Sequence, residues 1–174
     1  NVATIPIELF EEGVPLLVER KGLVIDSGGP GHTRGGLGQE FQVRVLEDVN
    51  SEVVLSIRAD RTRNPAPGLF GGGSGSRGQI TLNGSRPLPP KKPVQVVAGD
   101  VIHWQHAGGG GYGDSLQRPA DRVMADVRDG LVSVEEAHKA YGVVIRGKHP
   151  DLIVDFDATH VLRQLRQMQQ IEVT

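Results

Sequence analysis

Four consecutive glycines lie in the segment HAGGGGYGD, residues 106–114, and they constrain the fold more than any other feature of this chain. A residue without a side chain lets its backbone come close to a tight corner, a ligand or another backbone. Two further clusters, at residues 28–38 and 68–78, bring glycine to 24 of 174 residues, about twice its usual share. Patterned segments separate the clusters, which indicates a globular chain with three regions of closely approached backbone.

Composition and charge exclude several classes of function. The length suits one domain with its own core. Cysteine is absent, which excludes disulfides, thiolate metal sites and cysteine nucleophiles and weakly favours a cytoplasmic location. The net charge of −2 gives no overall attraction to nucleic acid or to acidic membranes. We expect a cytoplasmic protein that binds neither nucleic acid nor membranes. The sequence starts without methionine, which is typical of a trimmed, split or processed piece of a longer protein.

The hydrophobic pattern predicts a β-rich region at 1–115 and a mainly helical region at 116–174. In the first region short runs alternate, as Phe41, Val43 and Val45 do on one face. Many strands without intervening helices favour an antiparallel sheet. We predict an α+β fold in a single domain or half-domain: a mainly antiparallel β body, sandwich or barrel-like, followed by two or three C-terminal helices. The predicted strands are IPIELF, PLLVERKGLVID, EFQVRVLED, SEVVLSIRAD, RGQITLNG and PVQVVAGDVIHWQ.

Turn and capping signals divide the chain further. Asp48–Asn50 predicts a hairpin between two strands, and Asn83–Gly84 predicts a second tight turn. Pro119 is typical of a helix start, and Ser133 with Glu136 has the spacing of a capping box. The expected helix ends are Gly130 and Gly142.

The end of the chain predicts a short strand and one more helix. The strand is GVVI, and Asp157 is expected to cap the helix after it. Apolar residues three and four positions apart then form one stripe along this helix. They are Val161, Leu162, Leu165 and Met168.

The glycine clusters allow a phosphate-binding interpretation and a packing interpretation. Neither of the first two clusters contains the lysine and hydroxyl of a P-loop, and the strand–glycine–helix context of a dinucleotide site is missing. The packing interpretation, with loops pressed against a neighbouring surface, is therefore favoured. In the third cluster Tyr112 and Asp114 are expected to pin the end of a glycine corner before the first helix.

The histidines do not form a metal site by spacing alone. His103 and His106 would lie on opposite faces of a strand, so a shared metal would require a bend. No metal ligand is assigned in this chain. His32 lies between Asp26 and Arg34 in a glycine loop, where a polar functional role is expected. The remaining histidines, His138, His149 and His160, are interpreted as structural or solvated.

Other polar residues give weaker signals. Ser27 in DSGG stands outside any G-x-S-x-G nucleophile motif. Ser74 and Ser76 are oxyanion or phosphate partners in one interpretation and plain loop serines in the other. The alternating arginines of IRADRTR are either a solvated strand face or anchors for the carboxylates of a partner; they are Arg58, Arg61 and Arg63.

Four motifs in order carry a resemblance to a known family. They are Asp26–Leu46, Asn64–Gly78, Ala107–Ile145 and Val154–Arg166. Together they resemble the C-terminal part of hydantoinase B, the B-type component of the hydantoinase/5-oxoprolinase family. The opening IPIELFEEGVPLLVE resembles the family segment just upstream, so the resemblance covers nearly the whole chain.

The resemblance implies a component of an ATP-dependent hydrolase that opens cyclic amides such as hydantoins or 5-oxoproline. In this family the A-type component is expected to bind ATP and phosphorylate the amide oxygen. The B-type component is expected to contribute the hydrolytic half with a divalent metal. Two alternatives remain: a B-type component of an ATP-dependent ketone carboxylase (acetone or acetophenone type), and a non-catalytic assembly subunit of such a complex.

The chain is much shorter than a B-type component of the family, and the metal ligands of the family are expected in the absent N-terminal part. The resemblance therefore implies two partners, that N-terminal part and an ATP-binding A-type subunit. These partner chains are expected to bind most of the ATP and metal. The glycine loops are expected to be seams that pack against the missing half.

Candidate site residues follow from the motif positions. His106, His32 and Asp26 are the catalytic candidates, with His106 expected to approach substrate or metal. Further residues are expected to line substrate or interface loops. They are Arg34, Gly35, Gly36, Gly72, Gly73, Ser74, Gly109, Gly110, Gly111, Tyr112 and Asp114.

Overall fold

The computed structural model describes residues 5–48 and 52–172. Its β-rich part begins with a helix and continues through seven strands: α1 Ile7–Gly13, β1 Leu16–Leu23, β2 Gln39–Val45, β3 Val53–Ser56, β4 Gln79–Leu82, β5 Arg86–Pro87, β6 Pro93–Val96 and β7 Val101–Gln105. The tail consists of a 3-10 helix at Ser115–Gln117, α2 Ala120–Arg128, α3 Val134–Tyr141, β8 Val144–Arg146, β9 Ile153–Asp155 and α4 Phe156–Glu172. The predicted α+β class, an antiparallel body followed by helices, is confirmed.

The β body is open and sandwich-like, with no closed barrel among the described residues. One antiparallel sheet has the strand order β1-β2-β7-β4-β5, and β3 pairs with β6 in a separate ladder. Val43 and Val45 of β2 and Ile102 of β7 are fully buried, as the alternation predicts. Val96 of the second ladder belongs to the same core, so this core lies between the sheet and the ladder.

The segment IPIELF was predicted as a strand, and this is wrong, because helix α1 begins at Ile7. Pro6 precedes the helix with φ fixed at −52° and accepts a bond from the Phe10 N–H. Phe10 then meets Phe41 edge-on at 5.6 Å, and the Val18 N–H donates to Glu11. The apolar pattern of this short segment fits a helix or a strand, and these tertiary contacts favour the helix.

Of the predicted hairpin and the predicted tight turn, only the turn forms. Asn83 and Gly84 both have positive φ, 52° and 76°, as a type I′ turn requires, and they join β4 to β5. The hairpin across Asp48–Asn50 is wrong, because β2 pairs with β1 and β7 whereas β3 pairs with β6. Residues 49–51 themselves lie outside the described part.

A second hydrophobic core holds the helical tail together. Val123 and Val127 of α2 pack with Tyr141 of α3 in this core, in agreement with the four-residue spacing. Pro119 precedes α2, and Gly142 ends α3 with φ at 61°. The predicted GVVI strand is β8, which pairs with β9.

Helix α4 differs from prediction in its cap and in its apolar stripe. Asp155 accepts the Ala158 N–H at 2.9 Å, so Asp155 rather than Asp157 is the capping residue. Of the four stripe residues only Leu162 is partly buried, and the other three do not pack against the described body. Val161, Leu165 and Met168 are 55%, 54% and 64% exposed, which leaves an apolar helix face towards solvent.

Tyr141 gives a test of the second core. Its side chain is 1% exposed, burial raises the pKa of its hydroxyl to about 12, and within the described residues the hydroxyl has no hydrogen-bond partner. Tyr141→Phe removes only this group, so we expect unchanged stability or a gain of up to ~1 kcal/mol in urea unfolding. Tyr141→Ala should cost about 3–5 kcal/mol. A loss above ~1 kcal/mol in the Phe variant would mean that the hydroxyl is hydrogen-bonded.

Candidate functional site: a glycine bundle and its bordering groove

The three glycine clusters pack against one another and form what we call the glycine bundle, residues 27–38, 65–76 and 106–113. The first segment doubles back on itself, since the Gly35 N–H donates to the Gly29 carbonyl at 2.9 Å. The second also doubles back, since the Gly75 N–H donates to the Ala66 carbonyl at 3.0 Å. The central run 108–111 of the third segment therefore lies among several backbones.

No room for a side chain exists along most of the central run. At Gly108, Gly110 and Gly111 an added Cβ would lie under 3.0 Å from a neighbouring backbone carbonyl. At Gly109 it would lie 3.2 Å from a backbone nitrogen. The facing residues, in order from 108 to 111, are Ser27, Gly36, Pro67 and Pro30.

Two glycines of the central run that are three residues apart share one neighbouring backbone. Gly108 and Gly111 both face the first arm of the first segment, at Ser27 and Pro30, which are themselves three apart. Three residues per turn is the period of polyproline II backbone, and collagen places glycine at its crowded axis for the same steric reason. Packing therefore requires glycine at Gly108, Gly110 and Gly111, and it leaves little room at Gly109.

Backbone hydrogen bonds hold the bundle together. The Gly29 N–H donates to Gly109, the Gly109 N–H donates to Gly36, and both bonds are 2.8 Å long. The Gly111 N–H donates to Gly73 at 2.9 Å, and the Gly73 N–H donates to Pro30 at 2.7 Å. Since these donors are used within the bundle, they are not available to cradle a phosphate.

The expectation that the glycines pack against a missing half needs correction. The bare backbone of each glycine segment packs against the other glycine segments of this same chain. The three segments lie far apart in sequence, and sequence alone gives no means of recognising that they are mutual partners.

Serines of the clusters support the bundle. The Ser27 hydroxyl donates to the Val24 carbonyl at 2.5 Å and accepts the Gly38 N–H at 2.8 Å. The Ser76 hydroxyl accepts the Gly108 N–H at 3.3 Å. Ser74 is exposed. Ser27 and Ser76 thus make structural hydrogen bonds with the backbone of the bundle and its flanks.

Asp26 connects the bundle to helix α3. Its carboxylate accepts the Ser133 N–H at 2.7 Å, and its backbone has φ at 60°. Ser133 in turn accepts the Glu136 N–H at 3.0 Å, which is half of the predicted capping box. In the usual box Glu136 would accept the Ser133 N–H, and here Asp26 takes that bond. Burial and then the nearby Asp26 charge raise the pKa of Glu136.

Arg34 belongs to a second brace between the bundle and the helices. Its guanidinium lies 3.3 Å from the Asp126 carboxylate of α2, and Arg118 donates to the same carboxylate at 2.8 Å. Arg118 also donates to the His32 carbonyl at 3.0 Å. All three charged side chains of this brace are at most 16% exposed. Breaking it would leave an unpaired buried charge.

The far end of the central run carries Tyr112 and Asp114. The Asp114 carboxylate accepts the Leu116 N–H at 2.9 Å and so caps the 3-10 helix. Tyr112 exchanges backbone bonds with Thr33, and its exposed ring lies 5.2 Å from the ring of Phe70. Asp114 therefore pins the corner through a cap, whereas the Tyr112 side chain stands at the surface.

A groove of about 310 Å³ borders the other end of the central run, where His106 is exposed. Phe10 and Phe41 give it an apolar floor, and Lys21 and Glu40 give it charge. An apolar cleft with a few polar groups is the common form of a small-molecule site. The other lining residues are Ile5, Ile7 and Gln39.

Glu40 is the polar residue of this groove that sequence reasoning missed. It is 6% exposed, and its carboxylate lies 2.6 Å from the Arg20 guanidinium and 3.3 Å from the His103 ring. In sequence Glu40 is one acidic residue at the start of a strand. Only the pairing of β2 with β7, opposite Gln105, places it beside His103.

The three catalytic candidates have different surroundings. His106 lines the groove, His32 lies beside Gly113 near the opposite end of the central run, and the Asp26 carboxylate is bonded to Ser133. Between residues 5–48 and 52–172 no group of three or more histidine, aspartate or glutamate side chains could hold a metal ion. The residues present do not fit a metal centre, and we derive no step through one.

No helix in the described ranges is long and apolar enough to cross a membrane.

Known proteins resemble this chain in sequence and fold. The sequence profile of the Hydantoinase B/oxoprolinase family matches residues 1–115. The putative B-type component of the D-/L-hydantoinase of Pseudomonas sp. (strain NS671) is 31% identical, over 95% of this chain and 28% of that protein. The crystal structure of ATP-dependent caprolactamase from Pseudomonas jessenii is 32% identical with a TM-score of 0.76, over 91% of this chain and 28% of that one.

A nucleotide-free structure of acetone carboxylase shares the fold, with a TM-score of 0.76 at 21% identity over 97% of this chain and 27% of that one. The chain belongs to the Hydantoinase B/oxoprolinase family. The resemblance drawn from the ordered motifs is therefore confirmed. The chain spans less than a third of the length of these relatives.

Gly110→Ala tests whether the bundle depends on bare backbone. The new methyl would lie under 3.0 Å from the Pro67 carbonyl, so we expect a loss of at least ~2 kcal/mol in the free energy of unfolding. Gly36→Ala is the matched control, because it lies in the same bundle with nothing within 4 Å of the new methyl. Equal stabilities of the two variants in urea unfolding would contradict the close packing.

Glu136→Gln tests the cost of a partly buried carboxylate beside Asp26 at the start of α3. Because the folded pKa of Glu136 is raised, its stabilising contribution is present at low pH and is lost as pH rises through that pKa. We compare Glu136→Gln with Glu135→Gln, which removes a neighbouring exposed charge from the same first turn. At pH 7 the first variant should be the more stable, and the difference should vanish towards about pH 4. If the difference in stability between the two variants does not change with pH, the titration of Glu136 does not cause it.

Proposed function

We propose that residues 1–174 are the C-terminal domain or half-domain of the B-type component of an ATP-dependent cyclic-amide hydrolase of the hydantoinase/5-oxoprolinase type. The observation that carries this proposal is the 31% identity to a B-type hydantoinase component along 95% of the chain. A cyclic-amide substrate also suits the likeness to a caprolactamase, at 32% identity. In this proposal the chain contributes to the hydrolysis of a phosphorylated amide intermediate.

The groove beside His106 is the proposed contribution of this chain to the site. Phe10 and Phe41 offer an apolar surface to a substrate ring, and Lys21 offers a cation to an anionic group. His106 is exposed at the lip, where an imidazole can take a proton from water or give one to a leaving nitrogen. Strand β2 helps to fix the position of His106, because the His106 backbone N–H donates to the Gln39 carbonyl at 2.7 Å.

ATP and a divalent metal are proposed to bind mainly to partner chains. Many N–H donors of the glycine segments, such as those of Gly29, Gly109 and Gly111, are used internally, and the described residues offer no metal cluster. The proposed partners are the N-terminal part of the B-type polypeptide and an ATP-binding A-type subunit. The relatives support this arrangement, since one is named as a subunit and is more than three times as long as this chain.

A ketone carboxylase component is the second candidate, and the shared fold with acetone carboxylase favours it. At 21% identity this likeness concerns the fold alone, so the hydrolase remains the first choice. A subunit that assembles the complex without touching substrate is the third candidate.

The deciding experiment uses the full-length B-type subunit combined with its A-type subunit. ADP release is measured with hydantoin, 5-oxoproline and caprolactam, and separately with acetone in the presence and absence of bicarbonate. Amide-dependent ADP release with ring-opened product supports the hydrolase. Release that requires bicarbonate and a ketone would replace it with the carboxylase.

His106→Ala tests the groove within that complex. We expect at least a tenfold fall in turnover, because a positioned proton-transfer group typically contributes 10²–10⁴-fold. The melting temperature should change by less than that of Gly110→Ala. His160→Ala, at an exposed position of α4, is the control and should retain turnover. Equal fractional losses of turnover and stability in His106→Ala would show a structural role instead.

A further inference from the structure

Positive charge is concentrated in one stretch of this chain. Residues 58–92 contain seven lysines and arginines and one acidic residue, a net charge of +6. The remaining residues contain twelve basic and twenty acidic residues, a net charge of −8. The overall charge of −2 therefore hides two regions of opposite sign.

The fold gathers part of this charge into an open cleft of about 690 Å³. Arg61 and Arg63 line one wall, and Lys91 and Lys92 line the other. The Ala59 N–H donates to the Pro90 carbonyl at 2.8 Å and ties the two walls together. We call this surface the basic cleft.

The arginines of the basic cleft do not form a strand face. Strand β3 ends at Ser56, so the interpretation of IRADRTR as a solvated strand face is wrong. Arg61 has φ at 54°, an uncommon conformation for a residue with a long side chain. Lys91 is paired with Asp60 at 2.6 Å, whereas within the described residues no ion pair forms at Arg61, Arg63 or Lys92.

We propose that the basic cleft docks a carboxylate-rich surface of a separate partner subunit. This inference rests on the proposed function, in which the chain works in a complex with an A-type subunit. The inference goes beyond that function because it names the basic cleft as the contact surface and carboxylates as the matching groups on the partner subunit.

The shape and chemistry of the cleft favour an acidic polypeptide over a small anion. Its cations are exposed, and Pro89 and Pro90 have no N–H to donate. A single exposed ion pair contributes only about 0–1 kcal/mol, so one phosphate or carboxylate would bind weakly here. Several carboxylates on one folded surface would engage the separate cations together. Among the described residues no aromatic side chain lines the cleft to stack a base, and the net negative charge of the rest of the chain repels nucleic acid.

The charge of the cleft also favours a separate subunit over the remainder of the same polypeptide. The exposed stripe of α4 offers an apolar surface that the rest of the same polypeptide can bury, whereas the cleft offers exposed cations. Charged surfaces steer the encounter of molecules that fold separately and fix their register. The basic cleft is therefore assigned to docking between subunits.

The test reverses charge in the full-length B-type subunit. The cleft variant is Arg63→Glu with Lys92→Glu, and the control is Arg122→Glu with Lys148→Glu, an equal change of charge at exposed positions outside the cleft. Affinity for the A-type subunit is measured by calorimetry between about 50 and 200 mM NaCl, a range over which screening changes strongly. Binding of a labelled octaglutamate peptide and of an octathymidylate oligonucleotide is measured by fluorescence anisotropy.

We expect the cleft variant to bind the A-type subunit at least tenfold more weakly at about 50 mM NaCl, with a flatter salt dependence and reduced octaglutamate binding. The control should stay within twofold of the wild type. Wild-type affinity of the cleft variant for the A-type subunit would overturn the proposal whatever the peptide result, as would tighter binding of the oligonucleotide than of octaglutamate. If the two subunits dock through the cleft but hydrolyse no cyclic amide, the docking proposal stands and only the proposed function is contradicted.

Discussion

Close contact between bare backbones is the constraint on which the rest of this structure depends. Along the central run 108–111 the neighbours are peptide groups, so the bundle gains little from burying apolar side chains. Each ordered glycine costs more conformational entropy than another residue would. Backbone hydrogen bonds between the extended segments, such as those of Gly29 and Gly111, supply the compensating interactions. This balance makes the bundle sensitive to one added methyl group.

Charged braces explain how such a bundle stays in place. Asp26 bonds to the start of α3, and Asp126 of α2 is held by Arg34 and Arg118. Because Asp26 takes the capping bond that Glu136 would otherwise make, the helical tail is tied to the glycine bundle by the same interaction that starts a helix. The arrangement also assigns structural contacts to residues that a motif search would regard as catalytic.

Local signals predicted the parts of the fold that depend on local chemistry. Asn83–Gly84 makes its turn, Ser133 caps α3, and Gly142 ends it, because each needs only its own backbone geometry. Non-local pairings could not be predicted in the same way. Glu40 meets His103 only after two distant strands pair, and the glycine segments become partners only after three loops converge. Helix α1 was missed for a similar reason, since contacts with β1 and β2 stabilise it.

Two kinds of surface on this chain differ in the partner they suit. The stripe of α4 presents apolar side chains such as Leu165 and Met168, which gain about 25 cal/mol per Å² when another surface covers them. That gain is insensitive to salt and suits a permanent contact. The basic cleft, with Arg63 and Lys92 exposed, gains most from opposite charge. Salt weakens that attraction, and at about 0.1 M it largely screens exposed charges more than about 10 Å apart. In the proposed assembly the two surfaces have different roles, since the longer polypeptide would cover the apolar stripe and the A-type subunit would cover the basic cleft.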